Sequence, residues 1–207
     1  PQGWTSQDVT ARLRRVFSTR RIGHGGTLDP MATGVLPVFV GRATRGVEFF
    51  EHAEKTYETV LRLGLRTDTQ DITGTVLEQR EVNITEDRLL ETLERFRGEI
   101  MQVPPMYSAL KVNGQKLCDL ARKGREVARA PRPVTIHELT LLSFDGRDAA
   151  LRVRCSKGTY IRTLCEDIGT ALGCLGTMAS LRRTQAGDYT IAQAVPLQQL
   201  LEAEHPE

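Results

Sequence analysis

Asp29 stands in the one stretch of the chain whose residue types and spacing suit chemistry, Gly23-His24-Gly25-Gly26-Thr27-Leu28-Asp29-Pro30-Met31-Ala32-Thr33-Gly34. Gly23, Gly25 and Gly26 permit left-handed backbone and let another molecule's chain come close. Pro30 fixes its own φ and drives Asp29 toward the extended region. The carboxylate is thus held by backbone, with little bulk in front of it. Such a group is either a turn cap, the commoner use of Asp in loops, or a nucleophile. Arg162 is the second unusual placement. It falls in the first turn of an expected helix, where the dipole mildly disfavours a cation. It is either a plain surface arginine or one with a specific partner. By the same local standard His24 is a polar turn residue and Tyr57 a half-buried strand aromatic.

No P-loop, dinucleotide fingerprint or metal-ligand cluster accompanies these residues. Cys118, Cys155, Cys165 and Cys174 lack CxxC spacing and nearby His pairs. They are expected to be reduced and structural rather than zinc ligands.

The elements that must position Asp29 follow from periodicity and caps. Ser6 is placed to cap a helix from Gln7 to about Phe17, with Val9, Leu13, Val16 and Phe17 on one face. Val35 to Val40 is an apolar run of strand length after the loop. Val47 to Phe50, with Ala53, suggests a short helix. Tyr57, Thr59, Leu61 and Leu63 alternate as in a strand over Thr56–Leu63. Gly64 to Gly74 is a polar turn, and Thr75 to Glu81 a strand. Thr85, followed by acids, opens a helix with Leu89, Leu90, Leu93 and Phe96 as its stripe, stopped at Gly98. Asn113-Gly114 marks a tight turn, and Lys116 to Lys123 a short helix closed by Gly124. Val134–Phe144 and Ala149–Cys155 flank the hairpin signal Asp145-Gly146. Ile161, Leu164, Cys165, Ile168 and Leu172 give a helix ended by Gly173. Gly176 to Thr184 is strand-like, and Ala194 to Ala203 helical.

Composition bounds the class. The chain has 207 residues, 40% of them hydrophobic and 26% charged, as in a soluble globular protein of one or two domains. No apolar run nears the roughly 18 residues needed to span a membrane. The net charge of +2 hides segregation. Residues 1–46 carry seven Arg against two Asp, and residues 110–133 carry seven Lys or Arg against Asp119 and Glu126. Basic stretches broken by glycines are either solvated faces or the footprint of a polyanion.

The loop GHGGTLDPMATGVLPV resembles the catalytic motif of the TruB family of tRNA pseudouridine synthases. Five further stretches match that family in order. They are Lys55-Thr56-Tyr57, the run from Leu63 to Asp71, the run from Pro105 to Lys111, the run from Cys155 to Thr163, and Leu181-Arg182-Arg183. The resemblance covers roughly residues 1–197. It implies an α+β pseudouridine-synthase fold, with a central, mixed but mostly antiparallel sheet flanked by helices. It implies a catalytic domain over residues 1–190, a basic RNA-clamping insertion over 103–132 that is mobile without RNA, and a C-terminal helix or linker over 191–207. Because the chain stops at Glu207, the family's downstream RNA-binding domain is expected to be absent. Of the strand and Lys-Pro pair that precede the first helix in the family, only Pro1 is present.

The resemblance also implies roles. Asp29 is the nucleophile, Arg162 its ion-pair partner, and Tyr57 the aromatic that contacts the target base. His24 fills the space left by a flipped base, and Leu181 walls the pocket. Gly25, Gly26, Thr27, Lys157, Tyr160 and Arg182 complete the RNA-facing set. The implied activity is isomerisation of a T-loop uridine in tRNA, with the T-arm as partner. No cofactor, nucleotide or metal is called for, and the enzyme is expected to be a cytoplasmic monomer without membrane association. Two rivals remain: a non-catalytic RNA-binding or tRNA-folding module, and a guide-RNA-dependent relative. The Thr67–Gln70 run and the long basic insertion look like the stand-alone tRNA enzymes.

Overall fold

The computed structural model describes residues 2–50 and 52–203. In chain order the first elements are α1 (Ser6–Val16), β1 (Ile22–His24), β2 (Thr33–Gly34), β3 (Val38–Val40), α2 (Val47–Phe50) and β4 (Lys55–Leu63). Next come β5 (Leu65–Thr67), β6 (Val76–Gln79), α3 (Glu86–Glu94), β7 (Gly98–Gln102), β8 (Lys111–Val112), β9 (Gln115–Lys116) and α4 (Leu117–Ala121). The last are β10 (Arg132–Phe144), β11 (Asp148–Cys155), α5 (Ile161–Leu172), β12 (Gly176–Ala186), β13 (Tyr189–Thr190) and α6 (Leu197–Glu202). The class is α+β, as expected.

The chain divides into two compact units, Pro1–Glu58 with Leu181–Glu207, and Thr59–Ser180. The strands β4 and β12 run through both. The main sheet has the order β13-β12-β4-β11-β10-β7, with β2 alongside β12. The β2–β12 pairing is parallel, whereas β12–β13, β10–β11 and β10–β7 are antiparallel, so the sheet is mixed.

In the first unit α1 packs on β1 and α6. Thr5, not Ser6, caps α1. Its hydroxyl accepts from the Asp8 N–H at 3.1 Å while the Asp8 carboxylate accepts from the Thr5 N–H at 2.8 Å, a complete capping box. An acid at the third helical position decides for Thr5, and Ser6 is left for another task. The apolar run Val35–Val40 yields only β3, because Pro37 has no N–H to give a ladder and its carbonyl accepts from Gly25 N–H at 2.9 Å. The C-terminal helix starts at Leu197, behind Pro196, rather than at Ala194. Pro1, the remnant of the expected Lys-Pro pair, lies outside the described residues.

In the second unit α3 packs on α5 and β10. Thr85 caps α3 as expected, but the helix ends at Glu94, and Gly98 instead opens β7 at φ +83°. Arg97 donates to the Leu139 carbonyl from Nη2 at 2.8 Å, fastening the end of α3 to β10. Asn113 and Gly114 take φ +50° and +79°, the left-handed pair that a two-residue hairpin turn needs between β8 and β9. The core of this unit is Leu61, Leu63, Leu89, Leu93, Ile136, Leu139, Leu151, Leu164 and Ile168, all nearly inaccessible. No helix among the described residues is long and apolar enough to cross a membrane.

Candidate active site

The Asp29 loop is fastened on every side that belongs to its own unit. Asp29 accepts from the Ala32 N–H at 2.9 Å, closing a turn with Pro30 at its second position. The Pro30 carbonyl accepts from Gly3 N–H at 2.7 Å, and the Met31 carbonyl from Gln2 Nε2 at 3.1 Å. Ser6, released from capping, accepts from Leu28 N–H at 2.9 Å. Past the turn, Thr33 and Gly34 pair in parallel with Arg182 and Arg183 of β12, and Val35 N–H donates to the Arg183 carbonyl at 2.8 Å. A Cβ on Gly34 would stand 2.1 Å from that carbonyl, and its φ is +107°, so glycine is required twice over.

The glycines before Asp29 do different work from the freedom expected of all three. Gly23 is a β1 residue. Gly25 allows close approach: a Cβ there would meet the Phe50 ring at 2.3 Å and Phe39 at 3.1 Å. Phe39 and Phe50 stack with ring centroids 5.7 Å apart, and Tyr189 joins Phe50 at 5.8 Å. The loop therefore rests on an aromatic bed. Only Gly26 adopts left-handed backbone, at φ +95°.

His24 is half-buried, and its Nδ1 has no hydrogen-bond partner among the described residues. Burial, and then the Arg183 charge, hold its pKa below the ordinary imidazole value. A neutral ring follows at physiological pH. Tyr57 lies on the buried face of β4 with Lys55, Thr59, Leu61 and Leu63, 9% exposed, as the alternation predicts. Leu181 is buried on β12, while Arg182 beside it and Thr27 in the loop are exposed.

The first unit thus holds His24, Gly25, Gly26, Thr27, Asp29, Tyr57, Leu181 and Arg182; the second holds Lys157, Tyr160 and Arg162. In the second unit Arg162 sits in the first turn of α5 yet is only 4% exposed. Its guanidinium donates to the Thr69 carbonyl at 3.2 Å and the Tyr107 carbonyl at 2.8 Å. It is therefore no surface arginine. Tyr160 precedes the helix, and its backbone makes both bonds with the Gln102 amide, at 3.0 and 3.2 Å. Lys157 is exposed in the turn before it.

A cavity of about 440 Å³ lies between the insertion and α5, with Gln70, Pro105, Tyr107, Arg129, Glu166 and Asp167 in its wall. Gln70 donates to Glu166 and accepts from Thr163 Oγ1 at 3.0 Å, which ties the turn after β5 to the helix that carries Arg162. Burial, with Glu166 adding repulsion, pushes Asp167 up to about 6. The folded state therefore binds a proton more tightly than the unfolded chain. Stability is full below the unfolded value near 3.8 and falls as pH rises toward about 6. Asp167→Asn should remove that penalty. We expect a gain of about 1 kcal/mol at pH 8, discounted for partial exposure, and no gain at pH 4. Thermal melts at both pH values check it; equal shifts would exclude the carboxylate's ionisation as the cause.

Sequence reasoning gave Ser6 the role of a helix cap, assigned Arg183 no role within its stretch, and did not single out Gln102. Ser6 and Gln102 act across long sequence separations that no local pattern reports. Arg183 left a trace, since it shares a buried face of β12 with Leu181, where an apolar residue is the rule.

The family model described as TruB family pseudouridylate synthase (N terminal domain) matches residues 14–161, and that described as tRNA pseudouridylate synthase B C-terminal domain matches residues 162–206. Among curated proteins, tRNA pseudouridine synthase B of Pseudomonas paraeruginosa is 51% identical over 97% of this chain and 66% of its own length. The protein of that name from Ralstonia pickettii is 52% identical, over 97% and 64%. That from Haemophilus influenzae is 47% identical, also over 97% and 64%. The chain thus spans just under two thirds of these relatives. Among solved structures it resembles a chain of a Cbf5-Nop10-Gar1 complex, with TM-score 0.72 and 34% identity over 92% of this chain and 47% of that one. A chain of the archaeal box H/ACA sRNP Nop10-Cbf5 complex gives TM-score 0.73 and 32% identity over 98% and 50%. With both family models together reaching from residue 14 to residue 206, the chain belongs to the TruB family of pseudouridine synthases.

Proposed function

We propose that this protein converts a T-loop uridine of tRNA to pseudouridine, with Asp29 as the nucleophile. The observation that carries the proposal is the Asp29 turn itself, pinned through Gly3, Ser6 and β12 in a member of this family. A cap needs no such bracing, whereas a nucleophile loses rate when misplaced by an ångström.

The bond between N1 and the ribose carbon breaks, the base turns, and its C5 bonds to the same carbon. C5 gives up a proton and N1 gains one. Atoms balance within the nucleotide and that exchange, and no electrons leave it. The Asp29 carboxylate supplies the electron pair for a transient bond to the nucleotide, at sugar or base, and that bond breaks again by the time the product leaves, which returns the pair and the free carboxylate. In this scheme the Arg162 fork pairs with the carboxylate and keeps it ionised. Tyr57 stacks on the base, worth about 1–3 kcal/mol, against an unstacking cost of a few kcal/mol. The neutral His24 ring takes the vacated place, since an uncharged, dehydrated ring fits between bases. The exposed Thr27, Lys157 and Arg182, with Gly25, Gly26 and Tyr160, meet the RNA, and Leu181 walls the pocket.

Identity of 47–52% to proteins named tRNA pseudouridine synthase B, against 32–34% to the Cbf5 chains, favours a stand-alone tRNA enzyme over a guide-dependent one. Retention of Asp29, Tyr57 and Arg162 together favours an enzyme over a binding module. We take the enzyme to be a cytoplasmic monomer.

Because pseudouridine has the mass of uridine, the test is tritium release from a tRNA transcript labelled at uridine C5. One equivalent per tRNA is expected, with none when the T-loop uridine is replaced by cytidine. No release by the folded protein would refute the activity; release that survives the replacement would refute the position.

A further inference from the structure

Arg183 is the largest of the fully buried side chains, 1% exposed. Among the described residues it makes no ion pair. Its donors go to three backbone carbonyls instead: Nε to Val35 at 2.8 Å, Nη2 to Gly26 at 3.1 Å and Nη1 to Thr27 at 3.4 Å. Two of these carbonyls precede Asp29 and the third follows it. The guanidinium thus closes the neck of the loop from inside.

Two features set this apart from ordinary packing. Burying a cation without a counter-ion is expensive, and here three carbonyl acceptors take the place of the missing carboxylate. Secondly, the fork matches the acceptors. A planar guanidinium spreads its donors over three nitrogens in a rigid fork and so spans three separated carbonyls, whereas a lysine's three donors radiate from a single nitrogen. The peptide between Thr27 and Leu28 is gripped at both edges: its carbonyl accepts from Arg183 and its N–H donates to Ser6 Oγ at 2.9 Å. That peptide plane lies one residue before Asp29 and fixes the backbone that leads into it.

We infer that Arg183 is a positioning residue for the isomerisation, clamping the two ends of the Asp29 loop at Gly26, Thr27 and Val35 so that the carboxylate is aimed before substrate arrives. This rests on the proposed function, because it assigns Arg183 to the same site. Being buried beneath the loop, Arg183 acts through the backbone of residues 26–35 and not on the RNA.

The test uses the whole chain with Arg183→Lys, which keeps the charge and loses the fork, and Arg183→Gln, which keeps a donor and loses the charge. Three readouts are taken on each: single-turnover tritium release, tRNA affinity by filter binding, and amide hydrogen exchange at Leu28 and Val35. We expect release to slow on the order of 100-fold, affinity to change less than about threefold, and exchange at both amides to accelerate. Folded variants with the wild-type rate would overturn the inference. So would a rate loss matched by an equal loss of affinity, or failure of both variants to fold, which would make Arg183 a folding residue. Absence of release by the wild-type chain would instead refute the proposed function, and exchange at Leu28 and Val35 would then report whether Arg183 holds the loop.

Discussion

Asp29→Asn is expected to reduce single-turnover pseudouridine formation by about 10⁴-fold or more, the scale seen when an enzyme's nucleophile is removed. Affinity for tRNA should stay within about threefold of wild type. The substitution is nearly isosteric, and the turn it sits in has a backbone closure, from Ala32 N–H to the Asp29 carbonyl at 2.9 Å, that Asn keeps. The neighbouring ties through Ser6 and Gly3 are likewise indifferent to residue 29. Loss of rate without loss of fold or binding is therefore the signature of a reacting group. If Asp29 merely capped its turn, Asn would serve about as well, and tritium release would continue near the wild-type rate. That outcome would move the protein to the class of RNA-binding modules.

The elements that could be read in advance are those whose cause is local. The β4 alternation is written in Tyr57, Thr59, Leu61 and Leu63, and all four are buried on one face. Asn113-Gly114 and the Thr85 cap carry their conformations in their own side chains. Errors arose where two local rules competed. Thr5 and Ser6 both suit a cap, and only the acid at position 8 decides between them. Val35 to Val40 has strand composition, yet Pro37 cannot donate to a ladder. The motif around Asp29 was readable as a motif, but what holds it rigid was not. Ser6 and Leu28 are 22 residues apart, and Arg183 and Gly26 are 157 apart. Long-range ties of this kind depend on how β12 lies against the loop, which no periodicity encodes.

Arg162→Met should slow isomerisation by about 10³-fold and also destabilise the chain. Only the first effect concerns catalysis, so the two must be separated. Stability is lost because the Thr69 and Tyr107 carbonyls each lose a buried donor. At about 1–3 kcal/mol for each orphaned group, the melting temperature should fall by roughly 5–15 °C for a chain of this length. Arg162→Lys can still reach one carbonyl, so about half of that loss should be recovered. A lysine lacks the planar fork that would aim a carboxylate, so its rate should recover far less than its stability. A double-mutant cycle then asks whether Arg162 serves Asp29. If the guanidinium pairs with that carboxylate, the unfolding free energies of Asp29→Asn, Arg162→Met and the double variant will show coupling of about 1 kcal/mol or more. Independent side chains would give additive losses, within about 0.5 kcal/mol. Additivity together with a slow Arg162→Met enzyme would leave Arg162 as a scaffold for the 69 and 107 carbonyls. The ionised state of Asp29 would then need another source.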